Sequence, residues 1–170
     1  GGPFTDLHKA FIKALGSPNY FNQHACCSNS VHNAHNAMAG QRRNTVTYDW
    51  KNCKYTVLYA RNILESIGTK EAKDFMDARE KGMKVVYLDA RWTYTAAKSD
   101  RFFILRPGTD YAFNLALIHV LVKEKLYDEE FVRNWVLGMK ELTAFIEPYT
   151  PEWAEKETGV SADEIRAVAR

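Results

Sequence analysis

Apolar and polar positions alternate along this chain in a way that changes period several times. Leu7, Ala10, Phe11, Ala14 and Leu15 recur at helical spacing, and Gly16 followed by Pro18 ends the pattern as a C-terminal glycine and a breaker should. From Asn19 to Asn52 the chain is rich in Asn, His, Ser and Ala, with a weak helical pattern only over Val31 to Met38. The continuous run Lys54 to Ala60 is β-branched and aromatic and reads as a buried strand. A helical pattern over Ile63 to Lys81 stops at Gly82, and a second strand follows over Lys84 to Asp89. After a polar stretch come a third apolar run, Phe102 to Leu105, the turn Arg106-Pro107-Gly108-Thr109, and a strongly apolar helix from about Asp110 to Lys125. Near the end, Thr150-Pro151 sets a cap before a first-turn proline, and Ser161-Ala162-Asp163-Glu164 spells a capping box, which predicts two short closing helices. Trp135, Phe145 and Trp153 fall at helical spacings and are expected in the core.

Strand, helix, strand, strand, helix is the order of a parallel sheet under helical cover, so the fold class predicted is α/β, a Rossmann-like parallel sheet flanked by helices. Residues 1–52 form a segment leading into the domain, and residues 53–170 form the domain itself. With 170 residues, 46% hydrophobic and 26% charged, the chain can bury a real core. The net charge is +2 and the basic residues are scattered, so no electrostatic footprint for nucleic acid is visible. No apolar stretch approaches the roughly 20 residues needed to cross a bilayer, and the first residues lack the pattern of an export signal.

Parallel sheets bind ligands outside the carboxyl ends of their strands, and three polar clusters fall there: Arg61-Asn62, Asp89-Ala90-Arg91 and Arg106 to Asp110. Asp89, ending the second strand, is placed to accept hydrogen bonds from ribose hydroxyls; a turn residue is the plainer alternative. Arg61 and Asn62 stand where a phosphate would meet a helix N-terminus. Asp110 begins a helix, so on position alone a simple N-cap is favoured over a carboxylate pairing with the N–H edge of guanine. No G-x-G-x-x-G is present, which removes most support for a nicotinamide-dependent dehydrogenase. The three cysteines, Cys26, Cys27 and Cys53, make a poor disulfide framework, and adjacent Cys26 and Cys27 rarely bond each other. His24, Cys26, Cys27, His32 and His35 crowd one segment and are all potential ligands of a soft or borderline metal. Their spacing fits no closed zinc site, and a polar loop with packed thiols is the plainer reading.

Several separated strings nonetheless resemble one family, the dimethyl-sulfoxide-reductase-like molybdopterin oxidoreductases. They are Gly16-Ser17-Pro18-Asn19 with a cysteine two turns later, Leu58 to Ser66, Asp89 to Ala96, Arg106 to Asp110, and Thr150 to Ala154. The sequence departs from the family pattern at Ile63 and Ala90, where such proteins usually carry proline. The resemblance implies two molybdopterin guanine dinucleotides (bis-MGD) holding molybdenum or tungsten, with Cys27 as a protein ligand to the metal and Cys26 as the alternative. A thiolate there resembles thiosulfate and polysulfide reductases, formate dehydrogenases and periplasmic nitrate reductases. It implies a catalytic role for Cys27 or Cys26, and for His24 in proton transfer or in orienting a neighbour. Arg61, Asn62 and Ser66 would line the pyrophosphate, Asp89, Arg91 and Thr93 the ribose and its surroundings, and Arg106, Gly108 and Asp110 the guanosine end, which reverses the preference at Asp110.

Such subunits are several times longer, so the resemblance implies an internal segment of a multidomain catalytic subunit performing two-electron redox or oxygen-atom transfer. A 4Fe-4S cluster is expected elsewhere in that subunit. Expected partners are the remainder of the subunit, an iron–sulfur electron-transfer subunit with or without a membrane anchor subunit, and a small-molecule substrate, but no nucleic acid. A periplasmic or membrane-associated location goes with that resemblance. A structural or electron-transfer subunit that keeps the fold without the metal is the rival reading.

Overall fold

The computed structural model describes residues 3–21, 29–40, 47–66 and 68–170. The chain divides into two compact units, Gly1–Tyr48 and Asp49–Arg170. In the first, α1 (Pro3–Ala14) ends at Gly16, whose φ of +75° suits a residue without Cβ. The weak helical pattern further on becomes α2 (Asn29–Ala39).

The second unit is built on three parallel strands, β1 (Tyr55–Tyr59), β2 (Lys84–Asp89) and β3 (Arg101–Ile104), in the spatial order β1-β2-β3. Tyr59 pairs with Leu88, and Asp89 with Ile104. The central strand is buried from Val85 to Leu88, because a parallel strand covered on both faces needs a continuous apolar run rather than an alternating one.

Alternate residues of the strands feed two cores. On one face Leu58, Val85 and Tyr87 pack with Ile63 of α3 (Ile63–Ser66), Phe75 and Ala78 of α4 (Thr69–Glu80) and Ala96 of α5 (Tyr94–Ala97). On the other, Val86 and Leu88 pack with Phe113 and Ala116 of α6 (Asp110–Lys123), Ala154 of α9 (Pro151–Thr158) and Ile165 and Val168 of α10 (Ala162–Ala169). The predicted parallel sheet with helical flanks is therefore the observed architecture. The short helices α7 (Glu129–Trp135) and α8 (Met139–Phe145) connect α6 to α9.

Three local expectations are corrected. The helix predicted over Ile63 to Lys81 is two helices, because Gly68 adopts an extended backbone (φ −61°, ψ 145°) and becomes the N-cap of α4. The polar stretch after β2 carries α5, capped by Thr93, whose hydroxyl accepts from the Ala96 N–H at 3.1 Å. Trp135 and Phe145 are exposed, at 76% and 51%, rather than in the core; Trp153 does pack against it.

Both closing helices start at the predicted caps, Thr150 accepting from Trp153 N–H at 3.2 Å and Ser161 from Glu164 N–H at 3.3 Å. Only half of the capping box forms, since the Glu164 carboxylate takes Arg101 Nη1 of β3 at 2.9 Å.

Candidate functional site

The sheet register decides which loops are neighbours. Beyond β1, Ala60 N–H donates to Leu88 O at 2.8 Å; beyond β3, Leu105 N–H donates to Asp89 O at 3.2 Å. The three segments leaving the strands thus start side by side along one edge of the sheet, at the spacing of parallel strands, roughly 4.8 Å. Arg61-Asn62, Asp89 to Thr93 and Arg106 to Asp110 all leave from this edge. Ala60 turns the first of them with φ +47°, a left-handed conformation that costs a non-glycine residue roughly 1–2 kcal/mol. Backbone strain of this kind clusters at functional sites because only surrounding structure can hold it.

In the first loop, Arg61 Nη2 contacts both carboxylate oxygens of Glu71 in α4, at 2.7 and 2.9 Å. Asn62 is buried, and its amide closes a small polar network. Its Oδ1 accepts from the Thr95 hydroxyl at 2.7 Å, while its Nδ2 donates to Glu65 Oε2. The Thr95 oxygen in turn accepts from Leu64 N–H at 3.2 Å, and Glu65 Oε2 from Tyr94 N–H at 3.2 Å. These bonds hold the Glu65 carboxyl below its usual pKa, the Asn62 contact contributing most and Tyr94 N–H next. Asn62 therefore ties the turn after β1 to α5, and Ser66 is the last residue of α3.

That network sets an expectation for Asn62→Ala. The fully buried Thr95 hydroxyl would lose its acceptor and Glu65 its strongest partner. Loss of buried hydrogen-bond partners costs about 1–3 kcal/mol. Hydrogen exchange at α3 and α5 should accelerate, and the Glu65 carboxyl should titrate closer to the ordinary glutamate value in a carbon-13 NMR titration. Its stabilising contribution, present above the usual glutamate pKa and lost as pH falls through the depressed one, would shrink accordingly. Unchanged exchange and titration would sink this account of Asn62.

In the second loop, Asp89 is half-buried at the end of β2. Its Oδ2 accepts from the Tyr87 hydroxyl and its Oδ1 from Ala90 N–H at 2.7 Å. Arg91 is exposed and Thr93 buried. Exposed Trp92 stands edge-on to Phe102, with ring centroids 5.1 Å apart. Glu65, Trp92, Thr93, Tyr94 and Ala97 line a cleft of about 260 Å³.

In the third loop, Arg106 Nη1 reaches the carbonyls of Lys156 and Glu157 at 3.0 and 2.7 Å, and its backbone N–H reaches Thr158 O at 3.1 Å. Gly108 turns with φ +84°. The N-cap of α6 is Thr109, so Asp110 is not the cap but the first helical residue, where the helix dipole favours a carboxylate. Its charge also acts on Tyr59 at the end of β1: burial first, and Asp110 second, push that phenol above its usual range. The Tyr59 hydroxyl donates to Asn114 Oδ1 at 2.6 Å.

A second cleft, about 290 Å³, lies at the opposite end of the sheet among Lys51, Cys53, Lys54 and Lys81. Lys81 in that lining is the C-cap of α4, where helix polarity favours cations. His24, Cys26 and Cys27 lie outside the described residues. Among those that are described, no cluster of His, Cys, Asp and Glu suited to a metal ion occurs. Sequence reasoning assigned no role to Tyr87, which lies in a strand interior outside every motif, nor to Glu65 and Thr95, which lie within the resemblance strings but whose partners are set by the fold.

The profile of the family described as "Molybdopterin oxidoreductase" matches residues 4–157. The chain is 36% identical over 157 residues to the thiosulfate reductase molybdopterin-containing subunit PhsA of Salmonella typhimurium, covering 92% of this chain and 20% of that protein. It is 32% identical over 161 residues to acetylene hydratase of Syntrophotalea acetylenica, covering 95% of this chain and 22% of the relative. The solved structure of acetylene hydratase from Pelobacter acetylenicus superposes with a TM-score of 0.78 at 30% identity, over 97% of this chain and 22% of that one. This chain belongs to the molybdopterin oxidoreductase family. It spans about a fifth of the length of these relatives.

Proposed function

We propose that this chain is part of the catalytic subunit of a molybdenum- or tungsten-dependent oxidoreductase, and that its sheet edge anchors a molybdopterin guanine dinucleotide. The observation that carries the proposal is the convergence of three polar loops at the carboxyl ends of one parallel sheet, with the Asp89 carboxylate fixed at the end of the central strand. The groups suit a dinucleotide: a carboxylate meets a ribose diol, guanidinium and loop N–H groups meet phosphate, and a carboxylate in the first turn of α6 meets the N–H edge of guanine.

In this reading Asp89, Arg91 and Thr93 serve the ribose region, Arg61 and Ser66 the pyrophosphate, and Arg106, Gly108 and Asp110 the guanosine. Asn62 joins Arg61 and Ser66 on the pyrophosphate side, and its amide also shapes the loop through its bonds to Thr95 and Glu65. Cys27, with Cys26 as the alternative, supplies a thiolate to the metal, and His24 assists a proton or orients a neighbour. The cofactor, a second guanine dinucleotide included, supplies two-electron redox chemistry or oxygen-atom transfer. The protein contributes position and electrostatics.

Similarity to a thiosulfate reductase subunit favours a sulfur oxyanion or polysulfide as substrate. It also favours a complex with an iron–sulfur electron-transfer subunit, with or without a membrane anchor, at or beyond the cytoplasmic membrane. A 4Fe-4S cluster would belong to the remainder of the catalytic subunit. No helix among the described residues is long and apolar enough to cross a membrane.

Elemental and nucleotide analysis of the intact protein tests the reading. The expected result is near-stoichiometric molybdenum or tungsten, with guanine nucleotide released on acid hydrolysis. A folded protein holding neither would instead be a structural or electron-transfer subunit on the same scaffold.

A further inference from the structure

We propose that Tyr87 is a positioning residue for Asp89: its buried hydroxyl presets the carboxylate to receive a ribose diol. The inference rests on the reading of the strand-end loops as a nucleotide site. Tyr87 is fully buried in the central strand, its ring stacked on Phe102 at 5.8 Å and 24°, and packing alone would be satisfied by phenylalanine. The hydroxyl is an added polar group in an apolar layer, so it needs a partner. Tyr87 and Asp89, two residues apart, project from the same face of β2, and the hydroxyl donates to Asp89 Oδ2.

Asp89 Oδ1 is held separately by Ala90 N–H at 2.7 Å. Each carboxylate oxygen therefore has one fixed donor and keeps acceptor capacity for another. A cis-diol offers two donors, and it meets a carboxylate whose rotamer is already chosen; the entropy of ordering that side chain is spent in folding rather than in binding. Burial first, and the Asp89 contact next, push the Tyr87 phenol up to about 12, so it stays a donor throughout the neutral range. Thr93 acts on the same phenol in the opposite sense, and burial with the Asp89 contact outweighs it.

The test measures binding of GDP and of 2′,3′-dideoxy-GDP to the full-length protein prepared without its cofactor, by calorimetry. The unsubstituted protein should prefer GDP, and Asp89→Asn should erase that preference. Tyr87→Phe should reduce it by roughly two- to tenfold, the effect of one net hydrogen bond, while leaving dideoxy-GDP affinity unchanged. The double variant should match Asp89→Asn alone, because Tyr87 acts through that carboxylate. Circular dichroism reports whether the isosteric ring keeps the fold. A folded Tyr87→Phe protein that retains the full preference, or that weakens both nucleotides equally and adds to Asp89→Asn, overturns the role of Tyr87 and leaves the nucleotide site standing. Equal binding of the two nucleotides by the unsubstituted protein, unaltered in Asp89→Asn, overturns the ribose reading itself.

Discussion

Full-length protein carrying Cys27→Ala is expected to keep its pterin nucleotides and lose turnover. The two contributions are separable by chemistry. Nucleotide retention would come from the strand-end loops, which are distant in sequence from Cys27. A thiolate at residue 27 would contribute a soft anionic donor that tunes the metal's potential and completes its coordination. Alanine removes the donor and leaves Asp89, Arg106 and Asp110 unaltered in the sequence, so guanine content after acid hydrolysis should stay close to that of the unsubstituted protein while turnover falls below detection. Cys26→Ala serves as the control for the neighbouring thiol. Full activity in Cys27→Ala together with loss in Cys26→Ala would transfer the ligand role to Cys26, and full activity in both would remove the segment from the metal site.

The largest structural effect is expected from Phe113→Ala. Phe113 is fully buried one turn into α6, with its ring 6.3 Å from Tyr59 and 6.4 Å from Phe103, so it spans the gap between the helix and the outer strands. Truncating a buried phenylalanine costs about 3–5 kcal/mol, part transfer free energy and part cavity. Because α6 starts at Asp110, the cavity would open beneath the third loop. Hydrogen exchange of amides in β3 and α6 of the intact protein should accelerate by roughly two to four powers of ten, at 1.4 kcal/mol per decade. Exchange within tenfold of the unsubstituted protein would mean that the layer closes around the missing ring. Phe113→Leu, which keeps most of the volume, should recover much of the protection.

What the sequence revealed depended on how local the cause was. The span of β2 could be read directly, because Lys84 to Asp89 combines β-branched residues with burial on both faces, and both signals lie within the strand itself. The caps at Thr150 and Ser161 were equally legible, since their partners are three residues away. The break at Gly68 was hidden by apolar residues that continue the helical period on both sides of it. Trp135 and Phe145 sat at helical spacing yet are exposed, because periodicity marks a face without saying whether anything covers it.

The same limit governs the site. Strand ends in a parallel sheet are predictable, so the starting points of the three loops could be read in advance. The connection from Asn62 to Thr95 crosses 33 residues of sequence, and no pattern announces it. The chemistry is less legible still, because one scaffold serves relatives whose names describe a reductase and a hydratase.

Arg106 gives the third loop an unusual mooring. Its guanidinium and backbone N–H grip the last carbonyls of α9, so the loop is anchored to a helix fifty residues downstream. Mechanical coupling follows: a substitution or a docking event that rotates the tail of α9 would drag Gly108 and Asp110 with it, giving the distal end of this unit leverage over the shape of the strand-end loops.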